Sequence, residues 1–215
     1  MTSTDSPPQS VTDALRSEIL NGRFEPGDRL LEVSLANEYR CGRAAVRSAL
    51  VALTSEGLVE REANRGATVR RISIAEAIQI TQARAALESL IAAEAARTAT
   101  PDDHVELLQI IDDMRSAVAD EQDRDYSRLN GVLHCRLREM SGHNVAAELV
   151  ANLRNRAAHH QYRLALMPGR SNDSVHQHAA IVAAVVAGDE AAASAAMIMH
   201  LQSVIGVLTH WDNAR

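Results

Sequence analysis

Four polar residues in the second half of the chain have the types and spacing of a metal-binding set. Asn130 and His134 stand four residues apart, so a helix would present both on one face. His178 and His200 each lie in a largely apolar stretch, which implies that their imidazoles point into an apolar core. A buried polar group without a partner costs about 1–3 kcal/mol. A shared metal ion would satisfy these residues together.

The histidines also have a plainer interpretation, which their spacing leaves open. Imidazoles cap helices, hydrogen-bond to the backbone or lie on the surface, and none of these roles needs a metal. His176, two residues before His178, would point elsewhere on a helix. The histidines predicted to be surface or structural residues are His104, His143, His159, His160, His176 and His210.

A second set of charged residues could bind DNA. Residues 35–53 are typical of two short helices joined by a bend near Gly42. In the second helix, Arg43 and Arg47 lie four residues apart on one face. An apolar stripe on another face comprises Val46, Ala49, Leu50 and Leu53. This pattern predicts a helix-turn-helix whose second helix enters the major groove; the alternative is an ordinary amphipathic helix with two solvated arginines.

The flanking residues extend this prediction to a winged helix. Upstream, residues 11–22 form an apolar helical stripe that ends in a turn. Downstream, residues 57–62 and 67–70 have the pattern of two strands around a short hairpin. The hairpin contains Gly66, a residue type that accepts positive φ. The predicted order is three helices followed by a hairpin.

Residues 19–69 resemble the GntR family of transcription regulators, because the turn, the recognition helix and the wing agree with it in order and spacing. The resemblance implies that Arg43 and Arg47 contact operator DNA. It also implies that Arg65 and Gly66 lie at a wing tip that approaches the minor groove.

Two positions depart from the family pattern. Gly42 stands where the family usually has Ser or Thr, and Ala45 stands where many members have Pro. The missing hydroxyl group removes a helix N-cap and a phosphate donor, at a cost of about 1 kcal/mol of local stability. This departure weakens the expectation of a phosphate contact at residue 42 and leaves the expected fold unchanged.

The rest of the chain predicts an antiparallel bundle of six helices, so the fold class is mainly α. The breaks between helices are short, and an acidic run at residues 120–125 is predicted to be a solvated loop. The predicted helices span residues 74–99, 101–118, 126–140, 145–166, 175–187 and 190–211. The predicted domains are a disordered tail at residues 1–10, a winged helix-turn-helix DNA-binding domain at 11–72, and an all-helical effector-binding and dimerisation domain at 73–215.

The predicted bundle resembles the FCD domain of FadR-type GntR regulators, in its shorter, VanR-like form. The resemblance covers about residues 74–210 and rests on the six helices and on the order of N-x-x-x-H, H-x-x-I and terminal H-L motifs. The ligands that it implies for a divalent transition metal, Zn or Ni, are Asn130, His134, His178 and His200. Many relatives have a carboxylate where this chain has Asn130, so weaker metal binding is expected.

Arg84 is a candidate contact for the carboxylate of an effector, because a guanidinium group binds carboxylates in a bidentate manner. Glu88 follows four residues later, and this spacing equally allows an ordinary ion pair on the helix surface. The sequence leaves both interpretations open.

Composition and charge limit the class of protein. The chain has 215 residues, of which 46% are hydrophobic and only 2% aromatic, and this favours an aliphatic helical body. No apolar run reaches the ~18 residues of a membrane span and no secretory signal is visible, so a soluble, cytoplasmic protein is expected. Cys41 and Cys135 form no disulfide framework. Ten arginines balance ten acidic residues in 1–72, which favours a few positioned DNA contacts over indiscriminate coating.

Two classes of function agree with these observations. The first is a homodimeric repressor whose affinity for a palindromic operator is controlled by a small organic acid bound beside the metal. The second is an all-helical metalloenzyme fused to a DNA-binding module. The nearest candidate acid or base, Glu139, lies more than a helical turn from His134. The regulator is therefore favoured, and no enzymatic activity is expected.

Overall fold

A computed structural model describes residues 10–62, 66–157 and 169–213 of the chain. Contacts divide the chain into two compact units, with the boundary between Ile72 and Ser73. A short segment that begins at Arg154 is grouped with the first unit. The predicted tail, apart from Ser10, lies outside the described residues, and so does Arg65.

The first unit is a winged helix, as predicted. Its helices are α1 (Val11–Leu20), α2 (Glu32–Glu38) and α3 (Arg43–Ser55), and its strands are β1 (Arg29–Leu30), β2 (Val59–Glu62) and β3 (Gly66–Val69). The strand order is β1-β3-β2, both pairings are antiparallel, and Val59 lies opposite Val69 in the hairpin. Strand β1 is missing from the prediction, because two residues are too few to show a period of two.

The apolar stripe predicted on α3 lies in the core of the first unit. Its buried members are Val46, Ala49, Leu50 and Leu53, and α3 packs against α1 and α2. Gly42 is the N-cap of α3 and makes no side-chain hydrogen bond, as expected from the missing hydroxyl group. Gly66 has a φ of 89°, a conformation that favours glycine at the start of β3.

Within the described residues, the second unit is a bundle of six helices and contains no strand. The helices are α4 (Ile74–Thr98), α5 (Pro101–Ala119), α6 (Asp123–Ser141), α7 (Asn144–Arg156), α8 (Arg170–Val186) and α9 (Glu190–Asn213). Helix α4 packs against α6, α8 and α9. Its buried Ala92 and Ala95 leave room for close approach of these neighbours. Buried aliphatic residues from every helix complete a single core in this unit.

Some helix boundaries differ from the prediction. Helix α6 begins at Asp123, so the predicted acidic loop is confined to residues 120–122. Asp123 and Asp125 lie in the first turn of α6, where the positive end of the helix dipole favours acidic side chains. Helix α8 begins at Arg170 instead of residue 175. Helix α7 ends at Arg156, and the rest of the predicted helix at 145–166 lies almost entirely outside the described residues.

Helix α9 has the length and composition of a membrane span, and it is the one described helix that does. This is weak evidence, because a core helix of a soluble protein has the same properties. Helix α9 contains the buried residues Met197, His200 and Leu201 and packs along α4. The prediction that no apolar run reaches the length of a membrane span is therefore wrong for α9, which has both the length and the composition of one.

Candidate metal centre and recognition helix

Three histidines from three helices meet inside the bundle. His134 on α6, His178 on α8 and His200 on α9 are all buried, and one ring nitrogen from each lies within 4.8 Å of the others. The Nε2 atoms of His134 and His178 are 3.3 Å apart. Two nitrogens that share a tetrahedral zinc ion at about 2.0–2.1 Å lie roughly 3.3 Å from each other. The geometry therefore fits a shared metal ion.

Two of the imidazoles are oriented by oxygen acceptors at Nδ1. Glu88 Oε2 on α4 lies 2.9 Å from His134 Nδ1, and Gln177 Oε1 on α8 lies 3.0 Å from His200 Nδ1. An oxygen acceptor favours the tautomer whose proton is on Nδ1. The Nε2 lone pairs of His134 and His200 are then available to a metal, which is the usual arrangement around metal-binding histidines.

His178 is held by two hydroxyl groups. Its Nδ1 atom lies 3.3 Å from the Tyr126 hydroxyl oxygen and 3.5 Å from Ser174 Oγ. Burial raises the pKa of Tyr126 to about 12, so this hydroxyl group keeps its proton at neutral pH. Because a hydroxyl group both donates and accepts, His178 can adopt either tautomer. Protonated at Nε2, it would donate a hydrogen bond to His134; protonated at Nδ1, it offers a third lone pair.

Asn130 adds an oxygen on the same face of α6 as His134, one helical turn earlier. Its Oδ1 atom is buried and has no hydrogen-bond partner in the described structure. Buried polar atoms are nearly always satisfied, so each exception calls for a missing partner such as an ion or a water molecule. An orphaned amide oxygen one helical turn before His134, together with three converging imidazoles, fits a cation, so the residues present suit a metal.

Arg84 and Glu88 form an ion pair inside the bundle. Arg84 Nε donates to Glu88 Oε1 at 2.7 Å, and the other carboxylate oxygen of Glu88 faces His134. Both side chains are almost fully buried. The interpretation as an ordinary surface ion pair is therefore wrong. The alanine-rich helix α4 is covered by α6, α8 and α9, and Arg84 and Glu88 lie on its buried part.

In the first unit, Arg43 and Arg47 are exposed on α3 and share a carboxylate. Arg47 donates to Glu32 from Nε at 3.1 Å and from Nη2 at 2.9 Å, and Arg43 Nη2 lies 3.7 Å from the same residue. Hydrogen bonding from Arg47 lowers the pKa of Glu32. The arginines are therefore accessible and also oriented, which differs from the alternative of two simply solvated side chains.

Comparison with known proteins identifies both units. The family profile described as bacterial regulatory proteins, gntR family, matches residues 7–69, and the FCD domain matches residues 79–203. The chain belongs to the GntR family. Proteins of this family are transcription regulators that bind operator DNA, and regulators of this kind are not enzymes. FCD domains bind small-molecule effectors and commonly bind metal.

Relatives match along most of their length. The HTH-type transcriptional repressor RspR of Escherichia coli K12 is 26% identical over 196 residues, which cover 91% of this chain and 86% of the relative. The HTH-type transcriptional regulator LutR of Bacillus subtilis is 28% identical over 212 residues, which cover 89% and 96%. Among solved structures, E. coli McbR/YncC has a TM-score of 0.81 at 22% identity and covers 94% of this chain and 96% of its own. At that identity the likeness establishes the fold alone.

The charge state of His200 suits metal binding in a GntR regulator. Burial, followed by the electrostatic influence of His134 and Arg170, holds the pKa of His200 well below its usual value. The imidazole is therefore neutral at physiological pH, and only a neutral imidazole binds a metal.

The remaining candidates lie away from the histidine triad, which consists of His134, His178 and His200, or outside the described residues. Glu139 is exposed and pairs with Arg136, so it is not placed as an acid or base beside the imidazoles. His143 Nδ1 accepts from the backbone of Ala146 at the start of α7, and His176 is exposed. His159 and His160 lie outside the described residues.

Sequence reasoning missed several residues that orient the imidazoles: Glu88, Tyr126, Ser174 and Gln177. Two of them had a local signal, because Tyr126 is four residues before Asn130 and Ser174 is four residues before His178. Glu88 was visible only as the neighbour of Arg84. The contact of Gln177 with His200 spans 23 residues and has no local signal.

Proposed function

We propose that this GntR-family protein is a repressor whose affinity for operator DNA is controlled by a small organic acid bound beside a divalent metal ion in the bundle. The observation that carries the proposal is the convergence of His134, His178 and His200, together with the buried Asn130 Oδ1, which has no hydrogen-bond partner among the described residues. An interior built this way can hold a cation, and a cation with open positions attracts a carboxylate.

The metal would be held by Asn130, His134, His178 and His200. Neutral imidazoles suit first-row metals, so Zn and Ni are the preferred candidates. The ion would supply a positive charge at which an effector carboxylate can bind. Arg84 is the proposed second contact of that carboxylate. Its Nε atom donates to Glu88, and within the described structure its Nη atoms make no hydrogen bond.

The DNA-binding domain would comprise residues 11–72, with Arg43, Arg47, Arg65 and Gly66 as contacts. The exposed guanidinium groups on α3 support this role, because a recognition helix reads bases through side chains that reach outward. Residues 73–215 would bind the effector and pair with a second copy, so that two winged helices read a palindrome in the cytoplasm.

Metal analysis of purified variants tests the centre. His134→Ala, His178→Ala and His200→Ala should each lose bound metal, whereas His176→Ala, an exposed histidine on the same helix as His178, should retain it. Asn130→Asp should bind metal more tightly, because it adds a charged oxygen. Unchanged metal content in the three triad variants would refute the site.

Operator binding tests the regulatory part. DNA selected from a random pool by the wild-type protein is titrated with and without candidate carboxylic acids. An effector that prefers the DNA-incompatible state by about 1–3 kcal/mol should weaken operator binding roughly 5- to 150-fold. The same acids incubated with metal-loaded protein test the metalloenzyme alternative, since turnover would support an enzyme and stoichiometric binding would support the regulator.

A further inference from the structure

The polar residues of the bundle interior extend beyond the three imidazoles. Two helices carry matching runs at i, i+4 and i+8, a spacing that keeps all members of a run on one helix face. The runs are Tyr126, Asn130 and His134 on α6, and Arg170, Ser174 and His178 on α8. Tyr126 and Ser174 both contact His178. The run on α8 therefore places a positive charge, Arg170, on the same helix face as His178.

Arg170 is a half-buried cation without a carboxylate partner among the described residues. Its Nη1 atom donates to Ser203 Oγ on α9 at 3.1 Å, and Ser203 lies one turn after His200. Burial is the largest influence on the pKa of Arg170 and lowers it. Asp173 acts on this guanidinium only through space. An arginine in this position is more often paired with an anion, because a desolvated charge is costly when it is unpaired.

Positive charge exceeds negative charge around the imidazoles. Glu88 neutralises Arg84, and no second acid neutralises Arg170 among the described residues. Arg170 lies two turns before His178 on the same face of α8, and it donates to Ser203, which lies one turn after His200 on α9. A divalent metal would add two further positive charges. A single carboxylate would therefore leave most of the positive charge unbalanced, whereas a second carboxylate could pair with Arg170.

The geometry points to a dicarboxylic acid as the effector, with one carboxylate beside the imidazoles and the other on Arg170 and Ser203. This inference rests on the proposed function and specifies the class of acid. Ser203 accepts from Nη1 of Arg170, and a guanidinium group has further N–H donors with which it can bind a carboxylate in a bidentate manner. Arg170 is then a specificity-determining residue, since a monocarboxylic acid of equal length cannot use it.

Calorimetric titration of full-length, zinc-loaded protein tests this inference with matched pairs of acids. Succinate is compared with butyrate, and glutarate with pentanoate, at fixed pH and ionic strength. In the wild-type protein, a dicarboxylate of suitable length should bind about ten-fold more tightly than its monocarboxylate partner, as expected for one additional charge-assisted contact. This comparison needs no variant, so it does not depend on the folding of a mutant.

Variants of Arg170 assign the second carboxylate. Arg170→Gln should weaken dicarboxylate binding about ten-fold and change monocarboxylate binding less than about two-fold. Arg170→Lys should recover part of the preference. Arg115→Gln, which removes one arginine from the exposed face of α5, is the matched control and should behave as wild type.

The outcomes separate the two levels of the proposal. Equal affinities of paired acids in the wild-type protein would overturn the dicarboxylate assignment, and so would an equal loss for both acids in Arg170→Gln, which is the pattern of a structural tie between α8 and α9. Either result leaves an acid-responsive regulator intact. The absence of binding by every acid in both classes would overturn the proposed effector function and, with it, the dicarboxylate assignment.

Discussion

Each unit of the protein has an arginine–glutamate pair at its candidate site, and the two pairs differ in exposure. In the winged helix, Arg47 pairs with Glu32 at 2.9 Å, and these side chains are 57% and 22% exposed. In the bundle, Arg84 pairs with Glu88 at 2.7 Å, and these side chains are 5% and 3% exposed. The contacts are alike in chemistry and length, so their surroundings decide what each can do.

The exposed pair leaves Arg47 accessible, and the buried pair holds its members in place. An exposed ion pair contributes about 0–1 kcal/mol, so Arg47 can adjust to DNA while it remains near Glu32. Loss of one partner from a buried pair costs about 3–5 kcal/mol. Glu88 therefore stays in place and holds His134 in one orientation.

Substitution of Glu88 should give the largest effect. Glu88→Ala leaves Arg84 buried without its carboxylate, so the free energy of unfolding should fall by about 3–5 kcal/mol. The matched variant Glu32→Ala should lower it by less than about 1 kcal/mol. Urea denaturation of metal-free protein, followed by far-UV circular dichroism, measures both values. Equal losses would show that burial does not distinguish the two pairs.

Metal binding should stabilise the bundle to a slightly smaller extent. At free zinc about 100-fold above its Kd, the free energy of unfolding should rise by about 2.7 kcal/mol. His178→Ala should abolish this gain, and His176→Ala should keep it. Far-UV circular dichroism during thermal unfolding measures this gain, because the described residues of the bundle are helical. Identical zinc responses of the two variants would contradict the proposed ligands.

Substitution of the exposed arginines should affect DNA binding and leave the bundle unchanged. Arg43→Ala should weaken operator binding by about 1–3 kcal/mol if its guanidinium group reads a guanine. A phosphate contact would instead weaken binding to all sequences alike. Fluorescence anisotropy on selected and scrambled DNA, at fixed salt, distinguishes the two roles, with Arg115→Ala as the control. A variant that matches wild type on both DNAs would remove Arg43 from the interface.

Substitution of Glu32 should give the smallest effect on DNA binding. It tests whether Glu32 orients Arg47 for base recognition. Glu32 engages Nε and Nη2 of Arg47, which leaves the Nη1 edge available to a base. Glu32→Gln should reduce the preference for selected over scrambled DNA. It should also strengthen binding to scrambled DNA, by less than about 1 kcal/mol, because a negative charge near the phosphates is removed. A merely structural role would weaken binding to both DNAs.

Local pattern was sufficient to predict the winged helix and the number of helices in the described bundle. The stripe that includes Val46 and Leu53 repeats with the period of a helix, and such a repeat decides which face is buried. The start of α8 could not be predicted in this way. Residues 170–174 have no apolar period, and their helical state brings Arg170 to α9 and Ser174 to His178.

The imidazoles were easier to predict than the residues that orient them. Apolar neighbours indicated that His178 and His200 point inward, and the structure brings them together with His134. The burial of Glu88 depends on three helices that cover α4. The sequence of α4 alone does not indicate that these helices pack against it. The sequence of one helix therefore predicts that Arg84 and Glu88 can pair. Whether that pair is exposed depends on the other helices that pack against α4.

The neutral oxygen of Asn130 has a consequence for how the proposed regulator would integrate signals. A ligand set without a carboxylate leaves the full charge of a bound ion undiminished, so the ion attracts an acid strongly while the protein retains the ion less firmly. The occupancy of such a centre follows the free metal in the cell. Neither the acid alone nor the metal alone would then change operator binding. The promoter would respond only when both ligands are present.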